Sequence, residues 1–456
     1  MAKYEIKDGI GIIPEGTTVI EENAFKGAKE LTSIIIPNSV TKIGDSAFHF
    51  CENLTSITIP ESVIQIDEYA FCMCENLAHI DLPHGLKTIK KGTFWGAGIT
   101  DIEIPDSVLI IEQNAFDGCK ELTSIVIPAS ITVIGENIFG GVMDSRQSSF
   151  GPCPKLKNIV VDKGNKMFDS RDNSNAIIES ATDTLLFGCQ TTVIPDTVKA
   201  IGPYAFDICA TITAIHIPSG VNSIGEGAFR ACSGLESVEV PDNVATIGAG
   251  AFAFCENLKN VKLPSELGEI PGSLFVGCKS LTILSIPETV TAIGPTAFAE
   301  CRNLTSLNIP EQVTKIEAGT FRNCTSMKEL TLPEGLKQIN KEAFWNAGFE
   351  SIDIPKKTTA IGLYAFKSCE QLKTVTIKGT IKQLDSTFQG CNALETVIFN
   401  AAVKAVKDAP FSYCESLKTI NVPAGTADQF KILLPASQHS LIVELPAEKK
   451  TASKRK

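Results

Sequence analysis

This sequence is poor in the residues that do most catalytic and anchoring work. It has two tryptophans, five methionines, five tyrosines and five histidines in 456 residues. The histidines (His49, His79, His84, His216 and His439) are scattered. No H-E-x-x-H and no His–carboxylate pair occurs at motif spacing, so neither a zinc-hydrolase helix nor an acid–base pair is legible. No apolar run approaches the roughly 20 residues that cross a bilayer as a helix. Positive charge is also scarce: the formal net charge is −11. That disfavours nucleic acid, whose phosphates demand clustered Lys and Arg, and an anionic membrane surface. No G-x-G-x-x-G loop is present to cradle a phosphate. The start, "MAKYEIKDGIGIIPEG", lacks the apolar core of a secretory leader. As written, the chain is expected to stay in the compartment where it is made, with no cofactor.

What is abundant is repetition. Phe25, Phe48, Phe71, Phe94, Phe116 and Phe139, then Phe206, Phe229, Phe252, Phe275, Phe298, Phe321, Phe344, Phe366, Phe388 and Phe411, recur every 22 or 23 residues. The unit reads IP-x-x-V-x-x-I-G-x-x-A-F-x-x-C-x-x-L-x-x-I-x-I-P. In "LTSITI", Leu54, Ile57 and Ile59 alternate with Ser56 and Thr58, which predicts a half-buried strand. Pro60 ends it. Val63 and Ile66 enter the core from a second extended piece, and "EYAF" predicts a helical or 3₁₀ turn that drives Phe71 inward. One such unit cannot bury its apolar face; stacked units can. The expected fold is an α/β repeat solenoid: a right-handed coil with a long parallel sheet, short helical turns, and hairpin and helix caps.

The expected organisation follows from where the rhythm changes. Residues 1–23 form an N-terminal cap and half-repeat, with an Asp-Gly turn suited to a hairpin. Repeats occupy 24–139 and 196–423. Residues 140–195 form an atypical repeat with an inserted loop and β-hairpin, 424–446 a closing cap with a helix near Thr426 and a last strand, and 447–456 a basic, disordered tail. "WGAG" (95–98) and "WNAG" (345–348) put alanine at the cysteine position and shorten the turn, inside near-copies 250 residues apart.

Fifteen cysteines invite a chemical reading. Twelve stand three residues after an anchor Phe, beginning with Cys51, and Cys153 fits a stretched unit. No C-x₂-C pair exists for zinc. Ladder neighbours such as Cys51 and Cys74 point the same way, a poor disulfide geometry. Ala28, Ala97 and Ala347 share the position, so the site asks for a small buried residue. So many unpaired thiols suit a reducing compartment.

The residues resemble the BspA-like, treponemal-type leucine-rich repeat family, over roughly residues 10–423. "DSRDNSNAIIESATDTLLFGCQTTVIP" is similar to a segment frequent in its Bacteroidetes-like members. The resemblance implies a solenoid without enzymatic activity, and surface or secreted relatives engaged in adhesion.

A shared function has one place to live, the outward face of the strands, two positions per unit. It is a Ser/Thr/Asn carpet carrying His79, Asp81, Asp101, Glu103, His216, Glu239, Lys262, Glu329 and Asp353. The cluster Asp81, Asp101 and Glu103 suits a basic protein partner, although Ser and Thr are ordinary occupants of a solvated strand. The expected function is a non-enzymatic, monomeric scaffold that binds a protein through this face. A surface adhesin for matrix proteins or glycans is the alternative. A third possibility, an enzyme in 140–195, rests on Asp144, Asp162, Asp169 and Asp172 without a histidine; a structural hairpin fits that stretch better.

Overall fold

The computed structural model describes residues 4–135 and 153–446. Phe139, Asp144, the loop at 140–152 and the basic tail 447–456 lie outside the described residues. In one unit the strand Ser56–Thr58 follows Leu54, with Leu54, Ile57 and Ile59 buried and Ser56 and Thr58 exposed. Pro60 has no N–H to continue the ladder, and its carbonyl closes a turn with Val63 N at 3.0 Å. A two-residue strand, Gln65–Ile66, then buries Ile66. Both pieces pair in parallel with the previous unit, Ser33↔Ser56 and Lys42↔Gln65. Each unit is therefore one rung.

The third side of the rung carries the i→i+3 hydrogen bonds of a 3₁₀ turn, but not its dihedral angles. His49 N donates to Ser46 O at 3.1 Å and Cys51 N to Phe48 O at 3.0 Å. The alternate N–H groups of Ser46, Phe48 and Phe50 donate to the next rung, each at 2.9 Å. A helix would aim every N–H along its own axis. Here Ser46 (φ 54°) and Phe50 (φ 59°) are left-handed, which turns every second amide toward the neighbouring rung. The same two positions, two before and two after the anchor Phe, are left-handed at Tyr69 and Met73, Tyr204 and Ile208, and Thr296 and Glu300. Rung-to-rung hydrogen bonding therefore runs on all three sides, and the buried amides are satisfied.

The anchor rings form a column. Phe25, Phe48, Phe71, Phe94 and Phe116 are fully buried, and successive rings stack at 5.3 to 5.8 Å with planes within 7°. Tyr4 begins the column at 5.5 Å from Phe25. Each such contact is worth about 0.5–1.5 kcal/mol beyond area burial.

The chain divides into two compact units, Met1–Leu235 and Glu236–Lys456. The first opens with Glu5–Lys7 antiparallel to Ile10–Ile12, which passes to Ser33–Ile35 in parallel. It also contains the insertion: Phe168–Asp169, Ala176–Glu179 and Thr184–Gly188 pair antiparallel, and the last then runs parallel to Ala200–Ile201. Gly188 N donates to Ala205 O at 2.8 Å, the bond an anchor Phe makes elsewhere. A Cβ on Gly188 would stand 2.2 Å from Phe206 Cε1, so that ring covers bare backbone. In the second unit, Phe252 to Phe411 stack in the same way. It closes with the helix Ala427–Leu433, whose buried Phe430 lies 5.0 Å from Phe399, and with the strand Ile442–Glu444 parallel to Thr419–Val422.

The near-copies have a physical explanation. A Cβ at Gly98 would lie 2.0 Å from Glu75 O, and one at Gly348 2.0 Å from Thr325 O. The shortened turn brings backbone against backbone, and only glycine fits. The strand-face ladder also differs from a continuous sheet. No strand forms around His79–Asp81 or around Asp101–Glu103.

Candidate functional site

The outward positions are a face because strand side chains alternate. Of the residues singled out there, His79, Asp81, Asp101, Glu103, His216, Glu239, Lys262, Glu329 and Asp353 are all exposed. The structure brings three of them together. His79 Nε2 lies 3.0 Å from Asp81 Oδ1, and Nδ1 lies 3.2 Å from Asp101 Oδ1. Hydrogen bonding to the Asp101 carboxylate, and next to that of Asp81, raises the His79 pKa. A second pair sits nearby: His84 Nδ1 is 3.0 Å from Glu61 Oε1, and its pKa rises for the same reason. The expectation of no His–carboxylate pair is thus corrected. Asp81 is only two residues from His79, but Asp101 lies 22 residues from His79 and Glu61 23 from His84; those partners meet because rungs stack, and no local motif can show that. His79 and His216 are exposed as expected, but neither lies in a hydrogen-bonded strand.

Elsewhere Glu239, Lys262 and Asp353 are neutralised by ion pairs. Glu239 and Lys262 are register partners and form an ion pair. Asp353 pairs with Lys378 at 2.9 Å. Glu329 sits beside Ser306 in register. His216 stands on a distant rung and joins no histidine cluster. Apolar side chains on this face matter as much as the charged ones. Ile35 is 74% exposed, Ile283 66% and Val126 52%.

The cysteines are more than small. Cys51 Sγ donates to Phe25 O at 3.0 Å, Cys74 to Phe48 O at 3.2 Å and Cys119 to Phe94 O at 3.1 Å. Cys278, Cys301 and Cys324 do the same in the second unit. Each thiol caps a carbonyl one rung back. All fifteen are free, and all but Cys209 and Cys414 are buried. Burial pushes the Cys51 thiol up to about 12, so no reactive thiolate is available there. Among the described residues no group of three or more His, Cys, Asp or Glu is placed to hold a metal ion.

The insertion does build a pocket. Its walls include Asp162, Asp169 and Asp172. Burial raises the Asp169 pKa, but bonds from Arg171 and Ser180 outweigh it and hold the carboxyl low. Arg171 grips Asp169 at 2.7 and 2.6 Å and also Asp183 at 2.6 Å. That carboxylate is committed to an ion pair and is poorly placed for proton transfer. The sequence showed these aspartates but not the pocket, whose floor comes from two earlier rungs.

Among the described residues no helix is long and apolar enough to cross a membrane. The BspA type leucine-rich repeat region model, in six copies, matches residues 11–120, 87–145, 186–305 and 291–418. No curated protein matches. A leucine-rich cell surface protein from Faecalibacterium prausnitzii is 33% identical, with a TM-score of 0.50, over 69% of this chain and 76% of that one. A leucine-rich repeat protein from Eubacterium ventriosum shares the fold at 23% identity and a TM-score of 0.57, over 79% of this chain and 91% of that one. The match indicates no catalytic family and a protein-interaction or surface-protein role. With the matched segments spanning most of its length, the chain belongs to the BspA type leucine-rich repeat family.

Proposed function

We propose that the protein is a non-enzymatic scaffold that binds a protein partner through the outward strand face. The observation that carries this is the contrast between rigid support and exposed side chains. Ile34 and Ile57 beneath the face are buried and held in ladder register, while Ile35 and Thr58 beside them stand in solvent. Such a preordered surface loses little entropy on binding, and solenoids present extended surfaces of this kind. Photo-crosslinking side chains at Ser56 and Ser306 should capture a protein partner, while the same probe on the turn side at Phe50 should not. Equal capture from both sides would sink the reading. Charge reversal at Asp81, Asp101 and Glu103 should change the set of captured proteins.

A surface location is the second reading, favoured by the similarity to a cell surface protein. The thiols do not oppose it. Cys51 and Cys74, buried, hydrogen-bonded and raised in pKa by that burial, resist oxidation even where the medium is oxidising. Protease treatment of intact cells should cleave a surface-displayed chain and spare one held inside.

A further inference from the structure

The insertion turns the end of the anionic stretch of the face into a pocket of about 520 Å³. Val126 and Val160, register partners on adjacent rungs, form its floor and are 52% and 38% exposed. Asp162, Lys163, Arg171 and Asp172 are among its lining residues. The walls are fixed before any ligand arrives. Ser170 Oγ accepts from Val161 N at 3.0 Å, and Asn165 Nδ2 donates to Pro128 O at 2.8 Å. The Arg171 charge is already cancelled by Asp169 and Asp183. An apolar floor inside a fixed polar rim is the ordinary make-up of a binding pocket.

Charge complementarity selects the occupant. The rung before Val126 carries Asp101 and Glu103, and the rung before that carries Asp81. From Ser33 to Val160 the outward positions hold no Lys or Arg. Rungs lie about 4.8 Å apart, so the floor begins one rung beyond the acids and ends two rungs, about 10 Å, beyond. An extended chain covers that in about three residues at roughly 3.3 Å each.

We propose that the pocket and the anionic rungs beside it form one docking site for an extended segment of a partner protein, with a basic pair followed about three residues later by an aliphatic side chain. This rests on the strand face being the binding surface and specifies what it takes. The segment crosses the strands, its cations over Asp81, Asp101 and Glu103 and its apolar side chain on Val126 and Val160. The insertion is the wall that stops it.

The test is a titration of fluorescein-labelled Lys-Arg-Ser-Ser-Leu with the full chain at low salt, read by anisotropy. Saturable binding is expected, weakened at least tenfold when the peptide ends in Ser, and equally by Val160→Asp or the milder Val126→Ser. Asp101→Lys with Glu103→Lys should weaken it and reduce its salt dependence. Thermal melts of each variant confirm the fold. Absence of saturable binding overturns the proposal. So does equal affinity for the serine peptide, or for the Val160→Asp chain with an unchanged melt. Sensitivity to the charge reversal alone overturns the pocket and leaves the face standing, which the crosslinks at Ser56 and Ser306 decide separately.

Discussion

At the residue scale, the most exacting positions are buried polar groups whose partners lie one rung away. Asp207 is 5% exposed, and Arg230 grips it at 2.8 and 2.6 Å. Burial raises the Asp207 pKa even against that guanidinium, so its charge is costly without Arg230. Arg230→Ala should lose about 3–5 kcal/mol, measured by denaturant unfolding, while Arg230→Ala with Asp207→Ala should recover part of it. The thiols obey the same logic more gently. Cys51→Ala fits the site but leaves Phe25 O short of one donor, which should cost about 1 kcal/mol. Cys51→Glu should not fold locally. Alkylation of the native chain should label few thiols, with the buried ones reacting only after unfolding.

At the element scale, the turn reverses the usual ranking of alanine and glycine. Ala231 is left-handed at φ 54°, while Ala228 in the same turn is fully buried. Ala231→Gly should stabilise by about 1 kcal/mol by relieving the left-handed strain. Ala228→Gly should destabilise by a similar amount, since it adds backbone freedom and removes a buried methyl. Paired thermal melts check the opposite signs. The acidic rungs make a second prediction. Because the folded pKa of His79 is raised, its ion pairs contribute fully below about pH 6.5, the unfolded value. The contribution is lost as pH rises through the folded value. NMR titration should place His79 above 6.5 and find it lowered by Asp101→Asn. A basic probe on this face should bind more weakly below that titration, when protonated His79 offsets one carboxylate.

At the scale of the whole molecule, stability is a sum over rungs and their nearest neighbours. Phe48 stacks on Phe25 and Phe71. Phe48→Ala should cost about 3–5 kcal/mol. Hydrogen exchange should show protection lost around residues 25–71 and retained around Phe298 in the second unit. A uniform loss across the chain would contradict nearest-neighbour energetics.

The repeat, its buried alternation and the column of anchor rings were legible because they are periodic, and a strand's period of two is written in "LTSITI" itself. The outward positions were legible for the same reason, including all nine charged and histidine residues, which are exposed. Contacts between rungs were not. The His79–Asp101 pair, the thiol bond from Cys51 to Phe25 O and the left-handed turn at Ser46 depend on which atoms face each other across a stack. Local sequence carries no signal of that. The pocket over Val126 and Val160 was hidden most deeply, since its floor and wall come from segments about 40 residues apart. By itself the sequence determined a stack of rungs with one polar face, because burial of a periodic apolar pattern has few solutions. Only the tertiary structure decided where on that face charge, apolar floor and wall converge, because convergence depends on rung register and on where the insertion returns to the stack.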